Sequence, residues 1–319
     1  MRAGSPFARF FAEVPGRYKG IKGSILMTKA LSTMPQDGAF RKPAHFILSA
    51  DRGWKQRFQL ALADLREGVH LWRLIAVLGF LDIKLRYRGS ALGPFWLTIS
   101  MGVQVGAMAF IYADLFHTDI HTYLPFLSLS LIAWNYLNAL VTDGCGCFIQ
   151  SDSVIKGMRM PFTVHAARSL MRNTMILAHN IVIVIAVFAI MGVHQSLFSF
   201  MALPAFGLWL VDGFAFSLLF GALCARFRDV PQIISAIMQI AFFITPVMWN
   251  ANILNGHREA LFLIRFNPFY YLLEILRAPL LGTPLPAETW IYALIISSIL
   301  ILFSWIAFAR TRGRIAFWV

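Results

Sequence analysis

Six long apolar windows limit the folds open to this chain. Each falls within or above the roughly 17 to 25 residues that an α-helix needs to cross the hydrocarbon core of a bilayer. None shows the short alternating runs and turn signals of a membrane β-barrel. The windows are Leu92–Phe116, Tyr123–Val141, Thr174–Val193, Leu197–Ala225, Ile233–Trp249 and Trp290–Ala309. We therefore predict an all-α polytopic membrane protein with six transmembrane helices.

The composition supports this prediction. Hydrophobic residues make up 58% of the 319 residues and charged residues only 13%. A soluble domain carries about 25% charged residues, so much of the apolar surface of this chain must face lipid.

The basic residues predict the orientation. Of the 28 Lys and Arg, 16 lie in residues 1–88, and nine more lie in 156–172, 226–228 and 310–314. Only three lie between the fifth and sixth windows. The positive-inside rule therefore puts both termini in the cytoplasm. The net charge of +13 is mostly a topology signal, and without a soluble basic module we expect no nucleic-acid partner.

The region before the first window divides in two. Residues 1–60 are predicted to form a flexible cytoplasmic tail, because their apolar residues follow no sustained period. Residues 61–90 are predicted to form an amphipathic interface helix, with Leu71, Leu74, Ile75 and Leu78 near helical spacing. Such a helix either lies in the headgroup layer or packs on the bundle. Residues 91–319 are the predicted transmembrane domain.

A basic cluster lies directly before the first window. It consists of Lys84, Arg86 and Arg88 with Tyr87. Guanidinium groups match phosphate oxygens, so the cluster is a candidate site for a lipid-linked pyrophosphate. Anchoring to anionic membrane lipids would use the same charges.

Two cytoplasmic links are candidate docking sites for a partner. Ser151–Pro161 combines a capping residue, a short mixed turn and a terminating proline, which predicts a short helix. Arg226–Asp229 forms a tight turn into the fifth window, where pairing of either arginine with Asp229 is the simpler interpretation. The candidate docking residues are Ser151, Asp152, Ile155, Lys156, Arg159, Pro161, Arg226, Arg228 and Asp229.

Other features lie within or outside the spans. Asn250–Glu288 is too apolar for a solvated loop and too interrupted by proline to span, which favours a re-entrant pair of short helices. Asp212 lies inside the fourth window, where it has either a functional role or a hydrogen bond in the bundle.

Aromatic residues within the spans offer apolar contact to a sliding sugar chain, although packing against lipid explains any single one. The candidates are Tyr112, Trp134, Tyr136, Phe242, Phe243 and Trp249.

The sequence contains no recognisable catalytic motif. It lacks a nucleophile elbow, a phosphate-binding Gly-x-x-x-x-Gly-Lys loop and His-Glu-x-x-His. The acids and histidines of Asp114–His121 suit an ordinary external loop better than a metal site. Cys145, Cys147 and Cys224 are expected to be small buried residues. We expect no metal and no cofactor in this chain, and energy supplied by another chain.

Several separated stretches resemble the permease subunits of ABC-2-type polysaccharide exporters, which move O-antigen, capsule or teichoic acid chains. They follow the family's order from about Arg66 to the C-terminus. The stretches are Asp82–Arg88 with Ser90–Trp96, Val154–Lys156 with Pro161, Arg226–Val230, Phe243–Trp249, Asn267–Pro268 with Arg277–Gly282, and Arg314–Val319. The chain departs from the family pattern at Leu81, where arginine usually precedes the aspartate.

The resemblance implies an assembly and a set of roles. It implies a homodimer of six-helix subunits joined to two cytoplasmic ABC ATPase subunits, which would bind ATP and Mg²⁺. Ser151–Pro161 would be the coupling helix, and Asn252–Gly282 would hold periplasmic gate helices between helices 5 and 6. The Trp318-Val319 ending is more similar to O-antigen permeases than to capsule permeases.

The expected function is therefore export of a lipid-linked polysaccharide across the bacterial inner membrane, with O-antigen on a polyprenyl pyrophosphate as the substrate. The alternatives are export of capsule or teichoic acid, a polytopic lipid-linked glycosyl- or acyltransferase, and a scaffold for a cytoplasmic complex. An enzyme would need a cluster of acids or histidines facing one compartment, and the sequence offers only Asp114–His121.

Overall fold

A computed structural model describes residues 53–90, 92–93, 95–251 and 258–319, and all regular structure in these ranges is helical. The predicted tail up to residue 52, residues 91 and 94, and residues 252–257 of the predicted gate stretch lie outside the described residues. The α-helices are α1 Trp54–His70, α2 Trp72–Arg86, α3 Phe95–Leu115, α4 Ile120–Gly146, α5 Asp152–Gly157, α6 Phe162–Met191, α7 Ala202–Arg226, α8 Val230–Ile244, α9 Arg258–Arg265, α10 Pro268–Leu281 and α11 Ala287–Trp318. Short 3-10 helices precede α5 and α7, at Ile149–Ser151 and Leu197–Met201.

Five of the six apolar windows form helices long and apolar enough to cross a membrane. These are α3, α4, α6, α11 and the continuous segment Leu197–Arg226, which includes α7. The fifth window forms the shorter helix α8, which has 15 residues and ends at Ile244. It ends there because Thr245 precedes Pro246 and adopts an extended backbone, the conformation that a following proline favours.

Two helices extend well beyond their apolar windows. Helix α6 begins at Phe162 rather than Thr174, and α11 continues to Trp318 rather than Ala309. The added turns carry arginine residues that pair with acids on neighbouring helices, as described below. Hydropathy marks the segment that lipid tolerates, whereas the helix itself continues into the polar region beyond the apolar window.

Helix α4 lies at the centre of the bundle and contacts α3, α6, α7, α8 and α10. Its closest neighbours approach over small residues: Gly144 lies against Ser217, and Gly213 of α7 lies against Leu140. Small residues allow such close approach of helices where lipid supplies no hydrophobic driving force. In contrast, α3 and α11 leave most of their apolar side chains exposed at the surface of the subunit.

The predicted interface helix at 61–90 is two helices in the structure. Helix α1 begins at Trp54, inside the segment predicted as a tail, and Leu71 interrupts the helical backbone between α1 and α2. Helix α1 packs on α6 and α11, and α2 packs on α6. The outer face of α2 exposes large apolar residues such as Phe80 and Leu85. One face of this region therefore contacts the bundle while the other remains open.

The helices define two ends of the molecule. One end, called here the basic end, carries α1, α2, α5, the start of α6 and the end of α11. The other end, called the gate end, carries the α3–α4 link, α9 and α10. The chain passes from the basic end to the gate end through α8 and the turn Thr245–Trp249.

Candidate functional site

A buried arginine organises the gate end. Arg277 of α10 is 4% exposed. Its Nη1 donates to Ser130 Oγ at 2.9 Å and to the Pro246 carbonyl at 2.7 Å, and its Nε donates to Glu274 Oε2 at 3.1 Å. The guanidinium also lies 4.5 Å from the ring centroid of Phe126. This one side chain therefore joins α4, the turn after α8, and α10.

A second set of hydrogen bonds holds the same turn. Asn267 Nδ2 donates to Thr245 Oγ1 at 2.7 Å, while Asn267 Oδ1 caps α10 by accepting from Phe269 N at 3.0 Å. Tyr123 OH of α4 donates to the Met248 carbonyl at 2.6 Å. In the turn that follows α8, the Thr245 hydroxyl and the carbonyl groups of Pro246 and Met248 therefore have hydrogen-bond partners on neighbouring elements.

Three of the separated stretches that resemble the exporter family meet in this cluster. They are Phe243–Trp249, Asn267–Pro268 and Arg277–Gly282. In the sequence these stretches only follow one another along the chain, which does not show that they are in contact. The structure shows that they form one hydrogen-bonded unit, which fixes α10 against the central helix α4.

Two aromatic channel candidates lie inside the subunit. Trp134 and Tyr136 of α4 are 3% and 4% exposed. The Trp134 ring centroid lies 5.8 Å from that of Phe242, and the Tyr136 ring stacks on Trp209 at 6.0 Å. The Tyr136 hydroxyl lies 2.8 Å from Thr174 Oγ1. In this conformation these two rings form part of the core.

The other aromatic candidates reach the subunit surface. Phe243 is 67% exposed, and Tyr112, Phe242 and Trp249 are half-buried. Tyr112 stacks on Phe116 with ring centroids 5.7 Å apart. The structure therefore does not bring the six candidates together on one face.

The predicted phosphate-binding cluster lies at the basic end, at the end of α2. Lys84, Arg86 and Arg88 are exposed and Tyr87 is half-buried. None of the three cations forms an ion pair with another residue of the described ranges. Gly89, with φ of 87°, turns the chain away after them, a conformation that glycine adopts without strain. These charges are available to a ligand.

Helix α2 is held on the bundle by Asp82. Its carboxylate accepts two hydrogen bonds from the Arg168 guanidinium, one of them from Nε at 2.8 Å. Arg172 lies between two acids, 3.7 Å from Asp82 Oδ2 and 2.9 Å from Asp143 Oδ2. The network places the basic cluster of α2 at a set position beside α6.

Helix α1 is held by a second buried acid. Asp64 is 1% exposed, and its carboxylate accepts from the backbone N–H groups of Phe162 and Thr163 at 3.3 and 3.0 Å. Arg312 Nε donates to the same carboxylate at 2.6 Å. Asp64 therefore caps the start of α6 from another helix and also ties α11 to it.

The candidate coupling segment forms the short helix α5. Ser151 is buried and donates to the Cys147 carbonyl at 2.8 Å. Asp152 and Lys156 form an ion pair at 2.7 Å, one turn apart on the outer surface. Ile155 is half-buried and packs on the cluster around Phe148. Helix α5 thus rests one face on the bundle and turns its charged face outward.

The remaining candidate coupling residues lie at the edges of the two links. Arg159 is exposed, and Pro161 ends the link with an extended backbone directly before α6. In the second link Arg228 and Asp229 are exposed. Neither arginine of that link forms an ion pair with Asp229, so the simpler interpretation from the sequence is wrong. Arg226 instead lies between two aromatic rings, as described below.

Asp212 lies deep between α7 and α11. It is 2% exposed, and its Oδ2 accepts a hydrogen bond from Ser297 Oγ at 2.6 Å. The structure therefore gives this residue the hydrogen bond within the bundle that was one of its two predicted roles.

The structure also assigns local roles to two other sets of polar residues. Asp119 caps α4 by accepting a hydrogen bond from His121 N at 3.2 Å. The three cysteines are free and buried, as predicted. Burial raises the pKa of the Cys147 thiol, which donates to the Ser217 carbonyl at 3.4 Å.

The acids and arginines that hold the helices together were not predicted from the sequence. Asp64, Arg168 and Arg172 are the residues concerned. The available signal was their position on the apolar side of helical segments, where an unpaired charge is too costly to bury. Which acid meets which arginine depends on how the helices pack.

The five helices that are long and apolar enough to cross a membrane define a multi-pass helical membrane protein. Residues 73–281 match the family described as ABC-2 type transporter, and the chain belongs to this family. It is 24% identical over 200 residues to an O-antigen export system permease protein RfbA of Klebsiella pneumoniae, covering 62% of this chain and 76% of that protein. It is 21% identical over 231 residues to a protein of the same name from Myxococcus xanthus, covering 70% and 86%. The family predicted from the separated stretches is confirmed.

Proposed function

We propose that this chain is the transmembrane permease subunit of an ATP-driven exporter, and that its substrate is O-antigen linked to a polyprenyl pyrophosphate. The observation that carries the proposal is the gate-end cluster, where three stretches typical of such permeases form one unit around Arg277. The similar proteins from Klebsiella pneumoniae and Myxococcus xanthus are named as O-antigen export permeases. Glycan analysis of the exported material separates this substrate from capsule and teichoic acid.

The proposed topology has six crossings of the bacterial inner membrane, with the basic end in the cytoplasm. Five helices are long enough by themselves. The sixth crossing combines α8, about 22 Å long at 1.5 Å per residue, with the turn Thr245–Trp249. The concentration of Lys and Arg at the basic end supports this orientation.

The proposed assembly is a homodimer joined to two ABC ATPase subunits, which bind ATP and Mg²⁺. Helix α5 would receive their movement, because it is short, outward-facing and packed on the bundle through Ile155. Arg228 and Asp229 lie exposed at the neighbouring link. A rigid element in contact with several spans can bias the whole bundle between two states.

The proposed substrate path uses both ends of the molecule. Lys84, Arg86 and Arg88 would bind the pyrophosphate, since their charges have no partner in the described ranges. Helices α9 and α10 would form the periplasmic gate, anchored through Arg277. Tyr112, Phe243 and Trp249 would contact the glycan from the surface, with Trp134 and Tyr136 supporting that surface from within.

Co-purification tests the class of protein. The complex should be extracted from its native membranes in a mild detergent and analysed by mass spectrometry. We expect an ATPase subunit at equal stoichiometry. Reproducible absence of an ATPase from a folded, monodisperse preparation would contradict the exporter assembly and favour the membrane-enzyme alternative.

A double substitution tests the pyrophosphate site. We expect Arg86→Ala with Arg88→Ala to abolish export of the glycan to the cell surface while leaving the ATPase complex assembled. The control is Arg66→Ala with Arg73→Ala, which removes two exposed charges from α1 and α2 outside the cluster. Normal export by the first variant would disprove this role of the cluster.

A further inference from the structure

A cleft with four arginines opens at the basic end, away from the cluster at the end of α2. It has a volume of about 530 Å³ and lies between α1, α7 and α11. Arg57, Arg226, Arg310 and Arg314 line it, and none of the described residues that line it is acidic. None of the four forms an ion pair with a carboxylate of the described ranges. The cleft therefore concentrates positive charge without internal neutralisation.

Aromatic rings hold two of these arginines in place. The Arg226 guanidinium lies 5.2 Å from the ring centroid of Phe227 and 5.3 Å from that of Trp318. Arg310 lies 5.1 Å from the ring centroid of Trp54. A cation–π contact with a ring positions a guanidinium while leaving the N–H groups, which lie in the guanidinium plane, able to donate hydrogen bonds. The cleft is thus prepared to donate several hydrogen bonds to one anion.

Beside the arginines, the lining contains the aromatic residues Phe227 and Trp318, Thr311 and an aliphatic wall. Leu219, Ala222 and Leu223 of α7 and Ala307 of α11 form the wall that extends from the arginines toward the membrane-spanning part of the bundle. Leu219 lies about 10 Å from Arg226 along the helix axis at 1.5 Å per residue. The cleft therefore combines an anion-binding mouth with an apolar wall, a combination that fits an amphiphile.

We propose that this cleft binds the phosphate head group of a lipid, with the lipid chain lying along Leu219 and Leu223. Basic pockets between spanning helices at the cytoplasmic surface are suited to anionic head groups, and arginine forks match phosphate oxygens. A membrane phospholipid and a polyprenyl phosphate offer the same chemistry. An acidic protein segment would use the arginines but would leave the aliphatic wall unexplained. The proposal does not depend on the export function.

Lipid binding to the detergent-purified, delipidated protein tests the proposal. The probes are phosphatidylglycerol, phosphatidylcholine and farnesyl pyrophosphate, and native mass spectrometry measures how many molecules remain bound at each concentration. The variant is Arg226→Gln with Arg310→Gln and Arg314→Gln, and the control is Arg66→Gln on the exposed side of α1. Single substitutions of Arg310 and Arg314, which are both exposed, cover the case in which the triple variant does not fold.

We expect the wild type and Arg66→Gln to prefer phosphatidylglycerol over phosphatidylcholine. We expect the triple variant to lose at least about tenfold in affinity for the anionic lipid, because charged hydrogen bonds to phosphate are the stronger ones. Each single variant should lose part of the affinity for the anionic lipid. Equal loss for phosphatidylglycerol and farnesyl pyrophosphate would mean that the cleft accepts either source, and loss for one alone would identify that source. Unchanged binding of both anionic probes by all variants would overturn the proposal and leave the cleft to the carboxylates of a protein partner.

Discussion

At the scale of single residues, buried charges decide how this subunit holds together. Arg277 and Asp64 are almost fully buried, and each contacts elements far apart in the sequence. A buried charge is tolerated only where its hydrogen-bonding groups are satisfied. Both residues meet this condition with several partners.

The first prediction concerns Arg277. We expect Arg277→Lys to lower the free energy of unfolding by about 2 to 3 kcal/mol, because lysine keeps the charge but cannot reach Ser130, Pro246 and Glu274 together. Thermal unfolding in detergent measures the change. Arg265→Lys, at an exposed position of α9, is the matched control. Equal melting temperatures for the two variants would contradict the role given to Arg277.

The second prediction concerns Asp64. Loss of the cap on α6 should cost about 1 to 2 kcal/mol, and Asp64→Ala also leaves Arg312 unpaired. We expect Asp64→Asn to be intermediate, because the amide oxygen still accepts from the backbone but carries no charge. Melting temperatures should fall in the order wild type, Asn variant, Ala variant. Glu67→Ala on the exposed side of α1 should have no effect.

At the scale of elements, small residues set the distance between helices. A Cβ atom added at Gly68 of α1 would lie 2.3 Å from Thr163 Oγ1 of α6. Thr163 also donates to the Asp64 carbonyl at 2.8 Å. The contact between α1 and α6 therefore has no room for a larger side chain.

The third prediction follows from this contact. Alanine favours helix more than glycine does, by about 1 kcal/mol, yet we expect Gly68→Ala to destabilise the protein because α1 must move away from α6. Hydrogen exchange should increase in α1 and at the start of α6. Gly207→Ala in α7, where nothing lies within 4 Å of the added Cβ, should not destabilise it. Stabilisation by Gly68→Ala would show that α1 adjusts freely.

At the scale of the whole molecule, the two ends differ in composition and in how their residues are held. The basic end collects the links that carry arginine and lysine, and the gate end is organised by hydrogen bonds around one buried arginine. Apolar side chains of α3 and α11 cover much of the surface between the ends. That surface suits contact with lipid.

The fourth prediction concerns the topology. Single cysteines at Ser153 and Gly313 should react with a membrane-impermeant maleimide only after the cytoplasmic side is opened. Cysteines at Thr118 and His194 should react from the outside; all four positions are exposed. The three native cysteines are buried, so the unmodified protein should remain unlabelled until it is denatured. Labelling of Ser153 and Gly313 from opposite sides would exclude six crossings.

The class of protein follows from the amino-acid sequence alone, because a long apolar window has few alternatives to a helix in lipid. The sequence also predicted the approximate positions of the spans, the short helix at Asp152–Gly157 and the family, since these depend on local pattern or on motifs read in order. Helix ends at α6 and α11 were predicted less well, because they depend on partners for Arg168 and Arg312.

Which polar residues form contacts with one another depends on the tertiary structure. The pairings of Asp64 with α6 and of Arg277 with Ser130 join residues about 100 or more positions apart. The tertiary structure also separated the aromatic candidates into a buried pair and a surface set, and brought four arginines from three helices into one cleft. Such contacts depend on the packing angle and rotation of whole helices, which no local pattern specifies.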